Sequence, residues 1–205
     1  MASVCEKIIL EKFIEWTKDR DRKVAIISIF ENIRDIPYAI IPELRDPNSG
    51  PAGLLNLRKG SCQPKHFLLA ELFKKLNIPV KYATYPFYWD KQLIKYPDNL
   101  KKIVKELPSA YHLACKAYIN DKWILVDATH DLALKKGGFT VNEKWDGISD
   151  TINAVKPYTE VLHETVKERV EYEARQKSLY TERQKTLYAE FVEKFNIWLE
   201  NLRKR

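Results

Sequence analysis

Long apolar runs are missing from this 205-residue sequence. No stretch reaches the roughly 18 to 20 consecutive apolar residues that a membrane-spanning helix requires. The opening stretch, Met1 to Ile14, carries four charged residues within an apolar pattern of helical spacing. This pattern predicts an amphipathic helix rather than a signal peptide, and we expect no membrane partner.

Cysteine is also scarce. The three cysteines, Cys5, Cys62 and Cys115, form an odd and sparse set that does not indicate a disulfide framework. A free thiol persists in a reducing compartment, so we expect a cytoplasmic protein in which a cysteine is available for chemistry.

Charge of one sign is never concentrated in one stretch. The formal net charge is +7, but lysine and arginine are mixed with glutamate and aspartate along most of the chain. No basic stripe with interleaved aromatic residues is visible, which is the pattern typical of nucleic-acid binding. We therefore expect a solvated basic surface and no nucleic-acid partner.

Glycine and proline are absent from the C-terminal quarter. No glycine follows Gly147, and no proline follows Pro157. Residues 157–205 are therefore predicted to form a helical extension to a first domain spanning 1–156. Its later part spaces five apolar residues as a helical seam, Tyr188, Phe191, Phe195, Trp198 and Leu202. We expect this seam to pack on the domain or on a second copy of the chain, as in a homo-oligomer.

The first 156 residues mix helical and strand patterns. Two amphipathic helices are predicted before Pro37, and the proline- and glycine-rich residues 42–60 predict a structured loop. A third helix is predicted to begin at Ser61 or Cys62. Strands are predicted at 80–85, 111–119 and 122–129, with a long connection at 86–108. The fold class is α+β, with N-terminal helices packed on an antiparallel sheet and a helical C-terminal extension.

Cys62 is the candidate nucleophile. It follows Gly60 and Ser61 at a predicted helix start, where unpaired backbone amides and the helix dipole favour the thiolate. Gly60 would allow a tight turn and the approach of a substrate. A buried cysteine with only a packing role is an equally good interpretation of this local pattern alone.

His112 and Asp127 strengthen the catalytic interpretation. If Asn120 and Asp121 form a two-residue turn, His112 lies opposite Thr129 and the side chains of His112 and Asp127 share one sheet face. Diagonal neighbours of this kind are roughly 7 to 8 Å apart at the backbone, so a carboxylate can reach the imidazole. A slip of one residue in this register would separate them.

The opposite face of the predicted hairpin is apolar. It carries Leu113, Cys115, Ala117, Ile119, Ile124, Val126 and Ala128. Cys115 is therefore predicted to pack in the core, which argues against a metal site that pairs it with His112. Trp123 shares the face of Asp127 in this register and is expected to wall the site.

The remaining histidines have weaker claims. His66 lies four residues after Cys62 on one helix face, and we expect it to line a pocket or pack. His130 is a weaker rival base, and His163 is expected to be a surface or packing residue. A metal protein using Cys62, His66, His112 and Asp127 stays a third alternative, but no second ligand pair has metal-like spacing, so no metal or cofactor is predicted.

Three segments together resemble the transglutaminase-like superfamily, an α+β relative of papain-like cysteine proteases. The segments are Gly60-Ser61-Cys62 before an apolar helix and Asn77-Ile-Pro-Val80, then Tyr111-His112, then Trp123-Ile-Leu-Val-Asp127-Ala-Thr129. The helical stretch Lys23 to Tyr38 is similar to the entry segment of that family. Ala114 and Ala128 stand where many relatives have tryptophan and proline, respectively.

The resemblance implies a Cys62–His112–Asp127 triad acting on peptide or protein amides. Cys62 would attack the carbonyl, His112 would act as base and then acid, and Asp127 would orient the imidazole. The Cys62 backbone amide, with Asn56 as a weaker candidate, would bind the oxyanion. Both a hydrolase such as a cysteine protease and an acyltransferase fit this scheme. The alternative is an inactive transglutaminase-like module that binds a partner through its C-terminal helices.

Overall fold

Seven helices and four strands make up the fold of the computed structural model, which describes residues 4–204. The helices are α1 (Val4–Thr17), α2 (Arg22–Asp35), α3 (Gly50–Leu57), α4 (Cys62–Lys75), α5 (Asp98–Val104), α6 (Val166–Ser178) and α7 (Glu182–Lys204). The strands are β1 (Val80–Phe87), β2 (Ala110–Ile119), β3 (Lys122–Val126) and β4 (Val161–His163). The predictions for residues 1–3 and 205 lie outside the described residues.

The four strands form one antiparallel sheet in the order β3-β2-β1-β4. The predicted hairpin is confirmed, because Ile119 pairs with Lys122 across a turn in which Asn120 and Asp121 have φ of 50° and 60°. Positive φ at both central residues is the conformation of a type I′ turn, which matches the strand twist. The register on which the site prediction depended is therefore present.

One sheet face packs on helices α2 and α4 to form the main core. All seven residues predicted for the apolar face of the hairpin are buried there, together with Phe30 of α2 and Phe67 of α4. The Cys115 thiol donates to the His66 carbonyl at 3.4 Å, and burial raises its pKa well above the ordinary value. Cys115 is thus a packing residue, as predicted.

Three local predictions were wrong. Residues 42–60 are not simply a loop, because they contain α3 and a short 3₁₀ helix at Pro42–Arg45. Pro51 does not prevent α3, since proline is tolerated in the first helical turn. The last predicted strand ends at Val126 instead of Thr129. Residues 157–165 are not helical, because strand β4 adds to the free edge of β1.

Helix α7 packs on its own chain through the predicted seam. Phe191 and Phe195 are fully buried in a second core with Trp89, Tyr96 and Leu100. This core lies beside the other side of the sheet and joins α7 to α5 and to the 3₁₀ turn at Leu132–Gly137. The seam is therefore covered by other parts of the same chain. Formation of a homo-oligomer through this helix stays a prediction, and so does the domain boundary at residue 156.

Among residues 4–204, no helix combines the length and the apolar character needed to span a bilayer.

We expect Phe195→Ala to destabilise the protein by about 3 to 5 kcal/mol, because it removes a fully buried aromatic ring. The measurement is urea unfolding followed by circular dichroism. Ile197→Ala is the matched control on the same helix, since Ile197 is 54% exposed and should change stability by no more than about 0.5 kcal/mol. Equal effects of the two substitutions would contradict the packing of α7 described here.

Candidate active site

The start of α4 presents Cys62 to a cleft. Ser61 is the N-cap residue as predicted, although its hydroxyl makes no capping hydrogen bond, and Cys62 is the first helical residue. Gly60 is held by the chain before it, since its amide donates to Pro37 O at 3.0 Å and its carbonyl accepts from Ala39 N at 3.2 Å. These bonds fix the direction in which α4 begins. Cys62, the first residue of the helix, is partly exposed.

Gly60 allows a close approach that a side chain would prevent. A Cβ atom at this position would lie 2.5 Å from Cδ1 of Leu54 and 3.1 Å from Cγ of Pro64. From the sequence, Gly60 was expected to allow a tight turn and the approach of a substrate. The structure shows that the space is filled by α3, so this glycine lets two helices meet beneath Cys62.

His112 and Asp127 meet on the sheet face opposite the main core. Nε2 of His112 lies 2.8 Å from Oδ2 of Asp127, and both side chains are buried. Asp127 directly follows Val126, the last residue of β3, so its carboxylate reaches the imidazole from just beyond the end of the paired strand. The diagonal relationship predicted from the hairpin register therefore brings these two side chains together.

The Asp127 carboxylate is fixed by backbone donors. Oδ2 also accepts from Ala154 N at 2.8 Å, and Oδ1 accepts from Thr129 N at 3.2 Å. The amide of Asp127 itself donates to Oγ1 of Thr151 at 2.8 Å. With these bonds the carboxylate has little freedom to rotate, so it presents one oxygen to His112.

The imidazole of His112 also faces the thiol of Cys62 across the cleft that both residues line. Since Nε2 is taken by Asp127, Nδ1 is the ring nitrogen available to the sulfur. Burial opposes the thiolate, but the hydrogen bond and charge of His112, the Leu113 amide and the Arg169 guanidinium together hold the pKa of Cys62 below its ordinary value. The arrangement favours a thiolate, which is the nucleophilic form.

The charges of His112 and Asp127 support each other. Burial disfavours the imidazolium, yet the Asp127 carboxylate and the Cys62 sulfur raise the pKa of His112 to about 10. Burial also disfavours the Asp127 carboxylate, but the charge and hydrogen bond of His112 lower the pKa of Asp127 below its usual range. The imidazolium form of His112 is therefore favoured between the Cys62 sulfur and the Asp127 carboxylate.

His66 ties the start of α4 to the end of β3. Its Nδ1 donates to the Cys62 carbonyl at 2.8 Å, and its Nε2 accepts from Ala128 N at 3.2 Å. Burial lowers the pKa of His66 to about 4, so the ring is neutral and its tautomer is fixed by these two bonds. His66 thus packs and positions the backbone that carries Cys62 and Asp127. The sequence placed it near Cys62 but gave no sign of this link.

The other histidines have partners of their own. Nδ1 of His130 donates to Thr140 O at 2.9 Å, and its ring packs against Tyr38 and Phe139. Nε2 of His163 lies 3.1 Å from Oγ1 of Thr84. Within residues 4–204, no group of three metal-ligating side chains is arranged to hold an ion.

Two predicted site residues are misplaced. Asn56 lies exposed on α3 and does not line the cleft, so it cannot serve as an oxyanion donor there. Trp123 is 40% exposed and packs on Tyr118 and Lys81 outside the cleft. Trp123 does have the strand parity of Asp127, but four residues of strand separate them by about 13 Å. The sheet face that Trp123 shares with Asp127 was therefore not sufficient to predict that Trp123 lies at the site.

The cleft around Cys62 is narrow, with a free volume of about 60 Å³. Several walls come from residues far from Cys62 in the chain. Phe87 at the end of β1 and Trp89 after it belong to an aromatic cluster that the sequence places beside the site. The sequence did not connect the other wall residues with the site, namely Tyr38 and Arg45 before α4, and Glu173, Lys177, Tyr180 and Tyr188 of the C-terminal segment. The C-terminal helices therefore complete the cleft. The sequence does show charged residues four apart at Arg169, Glu173 and Lys177. This spacing, however, is equally typical of a helix face exposed to solvent.

The solved structures that are similar to this chain include the following two proteins. A candidate cysteine protease from Cytophaga hutchinsonii is 19% identical with a TM-score of 0.42, over 79% of this chain and 52% of that chain. A transglutaminase (TGase) is 13% identical with a TM-score of 0.42, over 61% of this chain and 32% of that chain. This chain thus spans about half of the first protein and a third of the second. No family model and no curated protein matches it.

We expect the free energy of unfolding to fall as the pH is lowered from about 6.5 to about 4. Burial lowers the pKa of His66 and of His130 to about 4, so in this window the unfolded chain binds protons that the folded chain does not. The loss is on the order of 3 kcal/mol for each histidine. Chemical unfolding at a series of pH values measures it.

His66→Gln removes one of these titrations. We expect this variant to be less stable than the wild type at neutral pH, because two buried hydrogen bonds change. Its stability should also fall less steeply between about pH 6.5 and about pH 4. A slope equal to that of the wild type would show that His66 titrates normally in the folded protein.

Proposed function

We propose that this protein is a transglutaminase-like thiol enzyme that transfers acyl groups from peptide or side-chain amides. The observation that carries the proposal is the position of His112, with Nε2 on the Asp127 carboxylate and its other ring nitrogen available to the Cys62 thiol. A nucleophile, a base and a group that orients the base are the elements of a covalent acyl-transfer site.

In the first half of the reaction, the Cys62 thiolate attacks the amide carbonyl carbon and forms a carbon–sulfur bond. The carbonyl π electrons move to oxygen, and the Cys62 backbone amide at the start of α4 donates to this oxyanion. When the carbonyl reforms, the carbon–nitrogen bond breaks. The His112 imidazolium gives its proton to the departing amine, which leaves a neutral thioester and a neutral imidazole.

In the second half, water or an amine attacks the thioester. The neutral imidazole of His112 takes the proton of the incoming nucleophile, and the carbon–sulfur bond breaks to return the thiolate. Asp127 stabilises the imidazolium whenever it forms and keeps Nε2 turned away from the sulfur. Water gives a hydrolase, such as a cysteine protease, and an amine gives an acyltransferase.

A reducing, cytoplasmic setting would keep Cys62 as the free thiol.

Acylation by a simple activated ester tests the proposal. We expect p-nitrophenyl acetate to leave an acetyl group on Cys62 of the wild type, detected by peptide mass spectrometry, and Cys62→Ala to release no burst of nitrophenol. A fluorescent primary amine added to the acetylated enzyme then separates the two outcomes. Transfer of the acetyl group to the amine indicates transamidation, and its loss to water indicates hydrolysis. Absence of acetylation at Cys62 would contradict the proposed function.

Asp127→Asn should slow alkylation of Cys62 by iodoacetamide at pH 6 by roughly tenfold or more, because a neutral amide no longer stabilises the imidazolium that faces the thiolate. Mass spectrometry of the Cys62 peptide gives the rate, and Cys5 in the same molecule is an internal reference. Asp98→Asn, at an exposed carboxylate of α5, is the matched control. If both variants react like the wild type, the carboxylate does not support the ion pair.

A further inference from the structure

Arg45 is a cation on the cleft wall that has no carboxylate partner among residues 4–204. Its Nη2 donates to the Tyr188 hydroxyl at 3.2 Å, and its guanidinium lies 5.8 Å from the centre of the Tyr188 ring. Both contacts are with a neutral side chain. Arg45 is partly exposed and lines the same cleft as Cys62.

The neighbouring charges do not neutralise Arg45. The carboxylate of Glu173 is shared by Arg169 and Lys177, and it also accepts from the side-chain amide of Gln63. Two cations therefore already surround one anion. Burial first, and the Arg45 charge with it, lower the pKa of Lys177, which places Arg45 close to this group. The cleft wall thus carries more positive than negative charge.

Trp89 offers a buried hydrogen-bond donor without a partner. The residue is 6% exposed and lines the cleft, and its Nε1 has no hydrogen-bond partner within the described part of the chain, residues 4–204. The indole is fixed by ring contacts with Phe87, Phe191 and Phe195 at centroid distances of 4.9 to 5.2 Å. An indole nitrogen only donates, so its complement is an acceptor oxygen.

Buried polar groups in proteins are nearly always hydrogen-bonded, so the unpaired Trp89 Nε1 in the wall of the cleft indicates a ligand that supplies an acceptor.

We propose that the cleft takes an acyl donor that bears a carboxylate near its scissile amide, that is, an acidic peptide. Arg45 neutralises the carboxylate, and Trp89 donates to a carbonyl oxygen of the same molecule. This inference rests on the proposed function, because it names the substrate class of the Cys62 site.

Two alkylating agents of similar size test the charge preference. Iodoacetate carries a carboxylate, whereas iodoacetamide is neutral, and both alkylate a thiolate. We expect Arg45→Met to lower the ratio of the iodoacetate rate to the iodoacetamide rate at Cys62 by roughly threefold or more. Rising salt should weaken the preference of the wild type. Arg175→Met is the matched control, since Arg175 is exposed on α6 and does not line the cleft.

The outcomes separate the two proposals. Slow labelling of wild-type Cys62 by both reagents would overturn the proposed function and the substrate class with it. Fast labelling with the same rate ratio in wild type and Arg45→Met would overturn only the substrate class. A lower ratio in Arg45→Met, with an unchanged ratio in Arg175→Met, supports it.

Protection of Cys62 from alkylation by a bound ligand tests the hydrogen bond from Trp89. N-acetylglutamate amide and N-acetylglutamine amide differ by one carboxylate, and we expect the glutamate compound to protect Cys62 from iodoacetamide at a lower concentration. Trp89→Phe keeps a ring in place and removes Nε1, so it should weaken protection by both compounds by roughly threefold to tenfold. Equal protection by the two compounds, protection by neither, or a Trp89→Phe variant protected like the wild type would contradict the inference.

Discussion

The hydrogen bond between His112 and Asp127 is the constraint on which the site depends, and it is built from the geometry of one hairpin. The turn at Asn120 and Asp121 sets a register that gives these two side chains the same face of the sheet. The other face is packed into the main core, so a slip would bury the imidazole and carboxylate among apolar side chains. The stability of the core therefore holds His112 and Asp127 in place.

Cys62 is brought to this pair by a separate set of interactions. The bonds of Gly60 to the chain before α4 fix the entry of the helix, and His66 links the first turn of α4 to the residue after Asp127. His66 is neutral and uses both ring nitrogens in these bonds. Cys62 and Asp127 thus lie on two elements that a third side chain ties together.

The C-terminal helices belong to the site rather than only to its surroundings. Helix α7 is anchored by a buried aromatic core, and α6 places Glu173 and Lys177 in the cleft wall. Arg203 near the end of α7 also bonds Asp131 and the carbonyl of Tyr38, a cleft residue. Changes in these helices therefore reach both the walls of the cleft and the charge around Cys62.

The sequence was sufficient for the elements whose geometry is local. Alternation along two strands and a two-residue turn predicted the register, and a cysteine after Gly60 and Ser61 predicted the helix start. It was insufficient where direction or distance depends on tertiary packing. Asn56 is near Cys62 in the chain but points to solvent, and Trp123 shares a face with Asp127 but lies too far along the strand. Arg45 reaches the cleft through packing that no local sequence pattern records.

The protonation state of His112 tests the central claim most directly. Nitrogen chemical shifts of a ¹⁵N-histidine-labelled protein at pH 7, with His112→Asn used to assign the signals, report whether each ring nitrogen carries a proton. We expect both nitrogens of His112 to be protonated in the wild type, since the ring lies between the Cys62 sulfur and the Asp127 carboxylate. A neutral ring with one protonated nitrogen would contradict the thiolate–imidazolium pair.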